Sequence, residues 1–132
     1  MSSPELQTHL GINQTLCGTP AQVGGGTSTV VLQTTAEMGA DDRGLVHGGF
    51  LFGAADYAAM LAVNDPNVVL GAADTRFLAP VRVGQAVRVT AQTTATRGRK
   101  HTVEVDAKLD DGTSVFTGTF TTFVLDRHVL DR

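Results

Sequence analysis

One stretch, Gly48 to Asn64, constrains this chain more than any other, because its texture differs from everything around it. It holds Phe50, Leu51, Phe52, Met60, Leu61 and five alanines, with no β-branched residue before Val63. Ala and Leu are the strongest helix formers and Asn64-Asp65-Pro66 is a firm stop, so the stretch predicts a helix. A helix that is apolar nearly all round has no solvent-facing stripe and must be buried inside a domain. Its small residues, Gly53, Ala54, Ala55, Ala58 and Ala59, let other backbone come close.

What wraps that helix reads as sheet. Thr27 to Thr35 alternates, with Val30 and Leu32 on one face and Val31 on the other. After the helix, Val68 to Leu78 leads into Pro80, and Val87, Val89 and Ala91 alternate with polar residues. His101, Val103, Val105, Ala107 and Leu109 do the same, and Thr113 to Leu125 carries Phe116, Phe120 and Val124. Turn signals at Val83-Gly84, Arg97-Gly98 and Asp110-Asp111-Gly112 are short, which requires antiparallel pairing. Upstream, Ser3 as N-cap with Pro4 and Glu5 predicts a short helix to Leu10. Asn13 to Pro20 predicts a short strand, and Gly24-Gly25-Gly26 a turn before the next one. That glycine run lacks the strand–helix context and lysine of a phosphate-binding loop. The expected architecture is α+β: one domain, residues 1–132, with a long central helix wrapped by a twisted antiparallel sheet of five to six strands.

Composition narrows the function classes. With 42% hydrophobic and 17% charged residues the chain is globular. A formal net charge of −3 lacks the basic face that a nucleic-acid binder needs. No run is long enough to span a membrane, and the first ten residues carry no secretory pattern. The single Cys17 forms no internal disulfide and fits a reducing, cytoplasmic setting. His9, His47, His101 and His128 have no ligand-like spacing, so no metal site is expected.

The chemistry centres on His47 to Asp56. A carboxylate within an apolar helix costs several kcal/mol to bury as an ion, so Asp56 needs a partner or a task. Desolvation raises its pKa and suits it to act as a general base or nucleophile; capping a neighbouring strand or subunit is the plainer alternative. At the helix start, His47-Gly48-Gly49 leaves backbone N–H groups without internal partners, and two glycines leave them open to a substrate oxygen. The glycines would also serve simple close packing. Gly49 and Asp56 share a helix face but lie ~10 Å apart along it, whereas a reacting carbonyl needs both within ~3 Å. Two antiparallel helices related by a two-fold axis satisfy that demand, so the sequence asks for a homodimer with composite sites.

The run Gly44-Leu-Val-His-Gly-Gly-Phe-Leu-Phe-Gly-Ala-Ala-Asp56, followed by Thr75-Arg-Phe-Leu-Ala-Pro-Val-Arg-Val-Gly84, resembles the hotdog-fold acyl-CoA thioesterases of the phenylacetate-degradation type. The resemblance extends roughly from Thr27 to Leu125. It implies a hotdog fold and hydrolysis of a small or medium acyl thioester. It makes Asp56 the catalytic carboxylate and Gly49 the donor to the thioester carbonyl, with His47 and Gly48 shaping the loop. Asp41 falls where the family often has Asn, Leu70 where several members have Ser or Thr, and Ala79 where a polar or basic residue is common before Pro80. Phe50, with Phe52 and Tyr57, suits an aliphatic or aromatic acyl group. Arg97, Arg99 and Lys100 at one hairpin tip, and Arg76 and Arg82 around Pro80, are candidates for the phosphates of CoA. CoA enters as part of the substrate, and no cofactor is implied. A homodimer, with a dimer of dimers left open, is the expected assembly. The Gly71–Gly84 run also resembles the effector-binding hotdog domains of fatty-acid-synthesis regulators, so a non-catalytic acyl-CoA-binding module is the alternative. A hotdog dehydratase fits less well, since that group pairs a His and an acidic residue differently.

Overall fold

The computed structural model describes residues 5–131. A single turn of helix, Gln14–Cys17 (α1), precedes strands Thr19–Gly24 (β1) and Thr27–Gln33 (β2). A 3-10 turn at Ala36–Met38 and a loop lead to the long helix Gly48–Val63 (α2). Four strands follow: Val68–Phe77 (β3), Ala86–Arg97 (β4), Lys100–Leu109 (β5) and Ser114–Val124 (β6). All pairings are antiparallel, in the order β1-β2-β4-β5-β6-β3. The connection after β3 therefore carries the chain from one edge to the middle of the sheet. This is the hotdog arrangement.

The alternation in the sequence decides which face meets the helix. Val30, Leu32, Val87, Val89, Ala91, Val103, Val105, Ala107, Phe116 and Phe120 are all buried, and they pack with Leu51, Ala54, Ala55 and Ala58 to Ala62 of α2. Ser28 Oγ donates to the carbonyl of Ala58 at 2.6 Å, pinning the middle of the helix to β2. The helix stops where expected: Asn64 adopts a left-handed conformation (φ 54°), and its N–H closes on Met60 O at 2.8 Å. The β4–β5 and β5–β6 turns fall at Gly98 and Gly112, both with positive φ.

The N-terminal segment departs from expectation. Ser3 and Pro4 lie outside the described residues, and Glu5 to Leu10 is not helical. It runs as a strap over the C-terminal end of α2. Gln7 N–H donates to Asn64 Oδ1 at 2.8 Å, and Asn64 Nδ2 donates to Glu5 O at 3.2 Å. Those long-range bonds satisfy backbone groups that a helix would otherwise have to pair internally. Asn13 to Cys17 is also not a strand. Asn13 caps α1 with its side chain on Leu16 N–H, and β1 begins only at Thr19. Gly18 joins them at φ 101°, so close to β2 that a Cβ there would lie 2.4 Å from Val30 Cγ1.

Among the described residues no helix is long and apolar enough to cross a membrane. Nor do three or more His, Cys, Asp or Glu side chains gather as a metal site among them.

Candidate active site

The loop before α2 uses up its own polar groups. Asp41 Oδ1 accepts from the N–H groups of Arg43 (2.9 Å) and Leu45 (3.1 Å), folding the loop back on itself. Val46 N–H donates to Val81 O at 2.9 Å, Val83 N–H to Gly44 O at 2.8 Å, and His47 N–H to Met38 O at 2.8 Å. The chain thus enters α2 along a fixed direction, with His47 extended at the N-cap and making no side-chain cap. Phe50 N–H turns back to His47 O at 3.1 Å, but the N–H groups of Gly48 and Gly49 have no acceptor among the described residues. Two free donors at the positive end of a four-turn helix are suited to a developing negative oxygen. Side chains frame them closely. A Cβ on Gly49 would approach the His47 ring to 3.1 Å, and one on Gly48 would approach the Phe77 ring to 3.1 Å. His47 also stands edge-on to Phe50, with 6.2 Å between ring centroids.

Asp56 lies two turns further on. Gly49, Phe52, Gly53 and Asp56 follow the spacing i, i+3, i+4, i+7 and form a partly open face, whereas Ala54, Ala55 and Tyr57 to Ala62 are buried. The sheet covers the opposite side of α2, and the strap covers its C-terminal end, so only this N-terminal half is uncovered. Asp56 Oδ1 is buried without a hydrogen-bond partner. Burial pushes its carboxyl up from 3.8 to about 6. α1 closes one side: burial, and then the Asp56 charge, raise the Cys17 thiol. Burial likewise raises the neighbouring Tyr57 hydroxyl, with a smaller opposing pull from the Gln14 side chain. At 1.5 Å per residue, Asp56 and Gly49 of one chain remain ~10 Å apart. They share a face but do not converge.

β3 borders the same opening. Its residues Ala73, Thr75 and Phe77 pair with Phe120, Gly118 and Phe116, so they point to the helix side of the sheet. Ala73 and Phe77 are nevertheless exposed. Next to the helix start, Val46, Gly48, Leu51 and the segment Phe77 to Val81 border an open depression of about 400 Å³.

His47, Gly48, Gly49 and Phe50 therefore gather at the helix start, and Asp41 organises the loop behind them. Arg97 and Arg99 sit at the β4–β5 hairpin, beside Phe123 of β6, while the helix start lies near Phe116. That separation is about 23 Å along the strand. Arg99 is paired with Asp126, and Arg76 stands 4.0 Å from Asp74 with both side chains exposed. Leu70 is half-buried, ahead of a bulge in β3, and Ala79 lines the depression. Sequence reasoning missed the depression and the proximity of α1 to Asp56. The one local hint of α1 was Asn13, a good N-cap residue.

Comparison with known proteins adds the family. An uncharacterized protein from Pyrococcus horikoshii has the same fold, with TM-score 0.96 and 46% identity over 99% of this chain and 100% of that one. A methylthioribose-1-phosphate isomerase of Aquifex aeolicus is 51% identical over 124 residues, 92% of this chain but 27% of that protein. Transcription factor FapR of a Thermoanaerobacter species is 26% identical over 102 residues, 77% of this chain and 50% of that protein. The chain thus spans between a quarter and a half of the length of these curated relatives. The profile of the thioesterase superfamily matches residues 43–116, from the loop ahead of the helix start to Phe116 beneath Phe77. That segment carries the free N–H groups, Asp56 and β3, and by it this chain belongs to the thioesterase superfamily.

Proposed function

We propose that this chain hydrolyses a small or medium acyl-CoA thioester at two equivalent sites of a homodimer. In each site Asp56 of one protomer works with the helix start of the other. The observation that carries the reading is the pairing, on one open face of α2, of a buried carboxylate without a partner and two free N–H groups. The Gly49 N–H, assisted by that of Gly48, polarises the thioester carbonyl. The Asp56 carboxylate either removes a proton from attacking water or attacks the carbonyl carbon itself. When Asp56 acts as base, the hydroxyl of the water adds to the carbonyl, the C–S bond breaks, and the proton taken up by Asp56 goes to the departing sulfur, giving the free acid and the thiol. When Asp56 attacks, the C–S bond breaks to release the thiolate, which takes a proton from water, and a water molecule then hydrolyses the acyl–Asp56 anhydride to the free acid and the regenerated carboxylate. His47 shapes the donor loop, and Phe50 flanks it. Asp41 holds the loop rather than the substrate, because its Oδ1 already serves two N–H groups. Arg76, Arg97 and Arg99 are exposed cations for the CoA phosphates, with Arg97 and Arg99 serving a site whose nucleotide end extends towards the hairpin.

The edges of the sheet support the dimer. β1 is short and contains Pro20, both features that discourage further pairing. β3 is a ten-residue edge whose run Val69 to Ala73 holds neither charge nor proline. A second β3 added there in antiparallel fashion would bring the open faces of two α2 helices together.

The test is release of free thiol from a panel of acyl-CoAs by the purified protein. Asp56→Asn should lower kcat/KM at least ~100-fold, the scale of losing a general base. One observation favours a second reading, a non-catalytic acyl-CoA-binding module: relatives at 51% and 26% identity carry this domain as a part of proteins named for other activities. Tight acyl-CoA binding with no thiol release, unchanged in Asp56→Asn, would select that module and overturn hydrolysis.

A further inference from the structure

We infer that the free edge of β3 pairs with a second copy of itself about Thr75, setting Asp74 of each chain against Arg76 of the other. The inference rests on the homodimer proposed above and adds the register of its seam. Leu78 N–H donates to Val115 O at 2.9 Å, continuing the ladder that pairs Phe77 with Phe116. Alternate residues of a strand turn their backbone groups to opposite edges. Leu78, Arg76 and Asp74 therefore face β6, while the N–H and C=O groups of Phe77, Thr75 and Ala73 face the free edge. β3 is the last strand of the sheet, so those groups have no ladder partner in their own chain. An antiparallel copy must match Ala73, Thr75 and Phe77 among themselves, which puts the two-fold axis on a residue and never between two.

Charge then selects the residue. Asp74 and Arg76 are exposed on the face of the sheet away from the helix, beside Thr119 and Thr117. An axis on Asp74 sets two carboxylates opposite one another, and an axis on Arg76 sets two guanidinium groups together. With the axis on Ala73 or Phe77, neither charge meets an opposite one. On Thr75, Asp74 opposes Arg76 twice, in non-hydrogen-bonded pairs where side chains stand closest. Size points the same way. Phe77 and Leu78 are 54% and 52% exposed, and this register lays them against Ala73 and Ala72 of the second copy, two exposed small residues. The helix agrees as well. A Cβ on Gly48 would meet the Phe77 ring at 3.1 Å, and Phe52 stands 5.6 Å from Phe120, the partner of Ala73. The first half of α2 thus lies over Phe77 to Ala73. A two-fold axis through that stretch turns the helix start of one copy towards the Asp56 half of the other, and Phe77 of each copy walls its neighbour's open face. Arg76 has five N–H donors, more than one carboxylate uses, so its place in the seam leaves it able to meet a phosphate.

The test reads the seam by charge reversal and by cross-linking. Asp74→Arg and Arg76→Asp each set like charges opposite one another at both ends of the interval, and sedimentation should find the dimer Kd raised at least ~10-fold in each. Mixed in equal amounts, the two variants should pair to within about threefold of the wild-type Kd, because every cross-seam pair is then Arg against Asp. A pair that acts only within its own chain gives no such recovery, since each variant carries its defect into the mixture. Cross-linking fixes the register without reversing a charge. In a Cys17→Ser background, Thr75→Cys should form a covalent dimer on mild oxidation, because hydrogen-bonded partners stand about 5.5 Å apart at Cα, within disulfide reach. Ala73→Cys should not, its two copies being offset by ~14 Å along the seam. A link at Ala73 and none at Thr75, or no recovery on mixing, in a protein that still dimerises and releases thiol, overturns the register alone. A strict monomer at micromolar concentration that still releases thiol overturns the register together with the composite site.

Discussion

At the scale of single residues, Asp56 makes a pH-dependent contribution that substitution can isolate. Its carboxyl is raised from 3.8 to about 6 by burial, so the folded protein holds a proton that the unfolded chain has already released. Between about pH 4 and pH 6 Asp56 binds more protons in the native state, and its contribution to stability therefore falls as pH rises through that window, then levels off. Asp56→Asn lacks this penalty. Denaturant titration at one fixed protein concentration should find the variant on the order of 2 kcal/mol more stable than wild type at pH 8. The two should converge near pH 4. In the proposed mechanism activity runs the opposite way, because Asp56 would have to be ionised to act as base or nucleophile: kcat/KM should fall below about pH 6. A flat stability difference across that range would mean that the carboxyl is not desolvated. Gly49 governs access to the donors. In Gly49→Ala the new Cβ meets Cδ2 and Nε2 of His47 at 3.1 Å. His47 is exposed and can give way, so folding should be little affected. The methyl group nevertheless crowds the N–H, and kcat/KM should drop between ~10- and 100-fold, the scale of a weakened oxyanion donor. An unaltered rate would remove the helix start from the mechanism.

At the scale of elements, the least expected one controls the wall beside Asp56. α1 is held against the sheet through Gly18, where a side chain is excluded both by φ 101° and by Val30 Cγ1 at 2.4 Å. Gly18→Ala should therefore destabilise the protein by about 2–4 kcal/mol, from backbone strain and overpacking together. A melting temperature within 1–2 degrees of wild type, a shift of only a few tenths of a kcal/mol for a domain of this size, would show that α1 is loosely attached. The same element marks how far the sequence could be read. α2 was legible because Ala, Leu and Met fill it, no β-branched residue interrupts it before Val63, and Asn64-Asp65-Pro66 ends it. Strands β2, β4 and β5 were legible because their buried valines alternate with polar residues, and β6 because Phe116 and Phe120 recur on one face between threonines. The strap and α1 were not, since what fixes them is distant in sequence: Asn64 holding Glu5 and Gln7, and Val30 receiving Gly18. Sheet order was hidden for the same reason, because β3 turns away from β4 to pair with β6. In the site, His47 to Asp56 could be read from local spacing. The open depression is assembled by tertiary contact between the helix start and Phe77 to Val81, and no local pattern announces it.

At the scale of the whole molecule, one helix carries both the carboxylate and the free N–H groups of the proposed centre but keeps them about two turns apart. The separation cannot be closed by side-chain motion, since Gly49 offers only its backbone and Asp56 has only two rotatable bonds. In the proposed homodimer a second copy of the chain would close it, and symmetry would then make two centres at once. This arrangement has a consequence that a site within one protomer does not share. Asp56→Asn homodimers lack the carboxylate in both centres, and Gly49→Val homodimers have both donor sets obstructed. Unfolded together in equal amounts and refolded, the two variants give half of their dimers as mixed pairs. Each mixed pair holds one centre with the intact Asp56 of one chain against the intact Gly49 of the other, and one centre damaged on both sides. Activity should recover to about a quarter of wild type, from half of the dimers carrying half of their sites. Thiol release before and after co-refolding measures it, with size exclusion confirming dimers in each sample. Recovery is impossible if both groups act within one subunit, because each chain then carries its own defect wherever it goes.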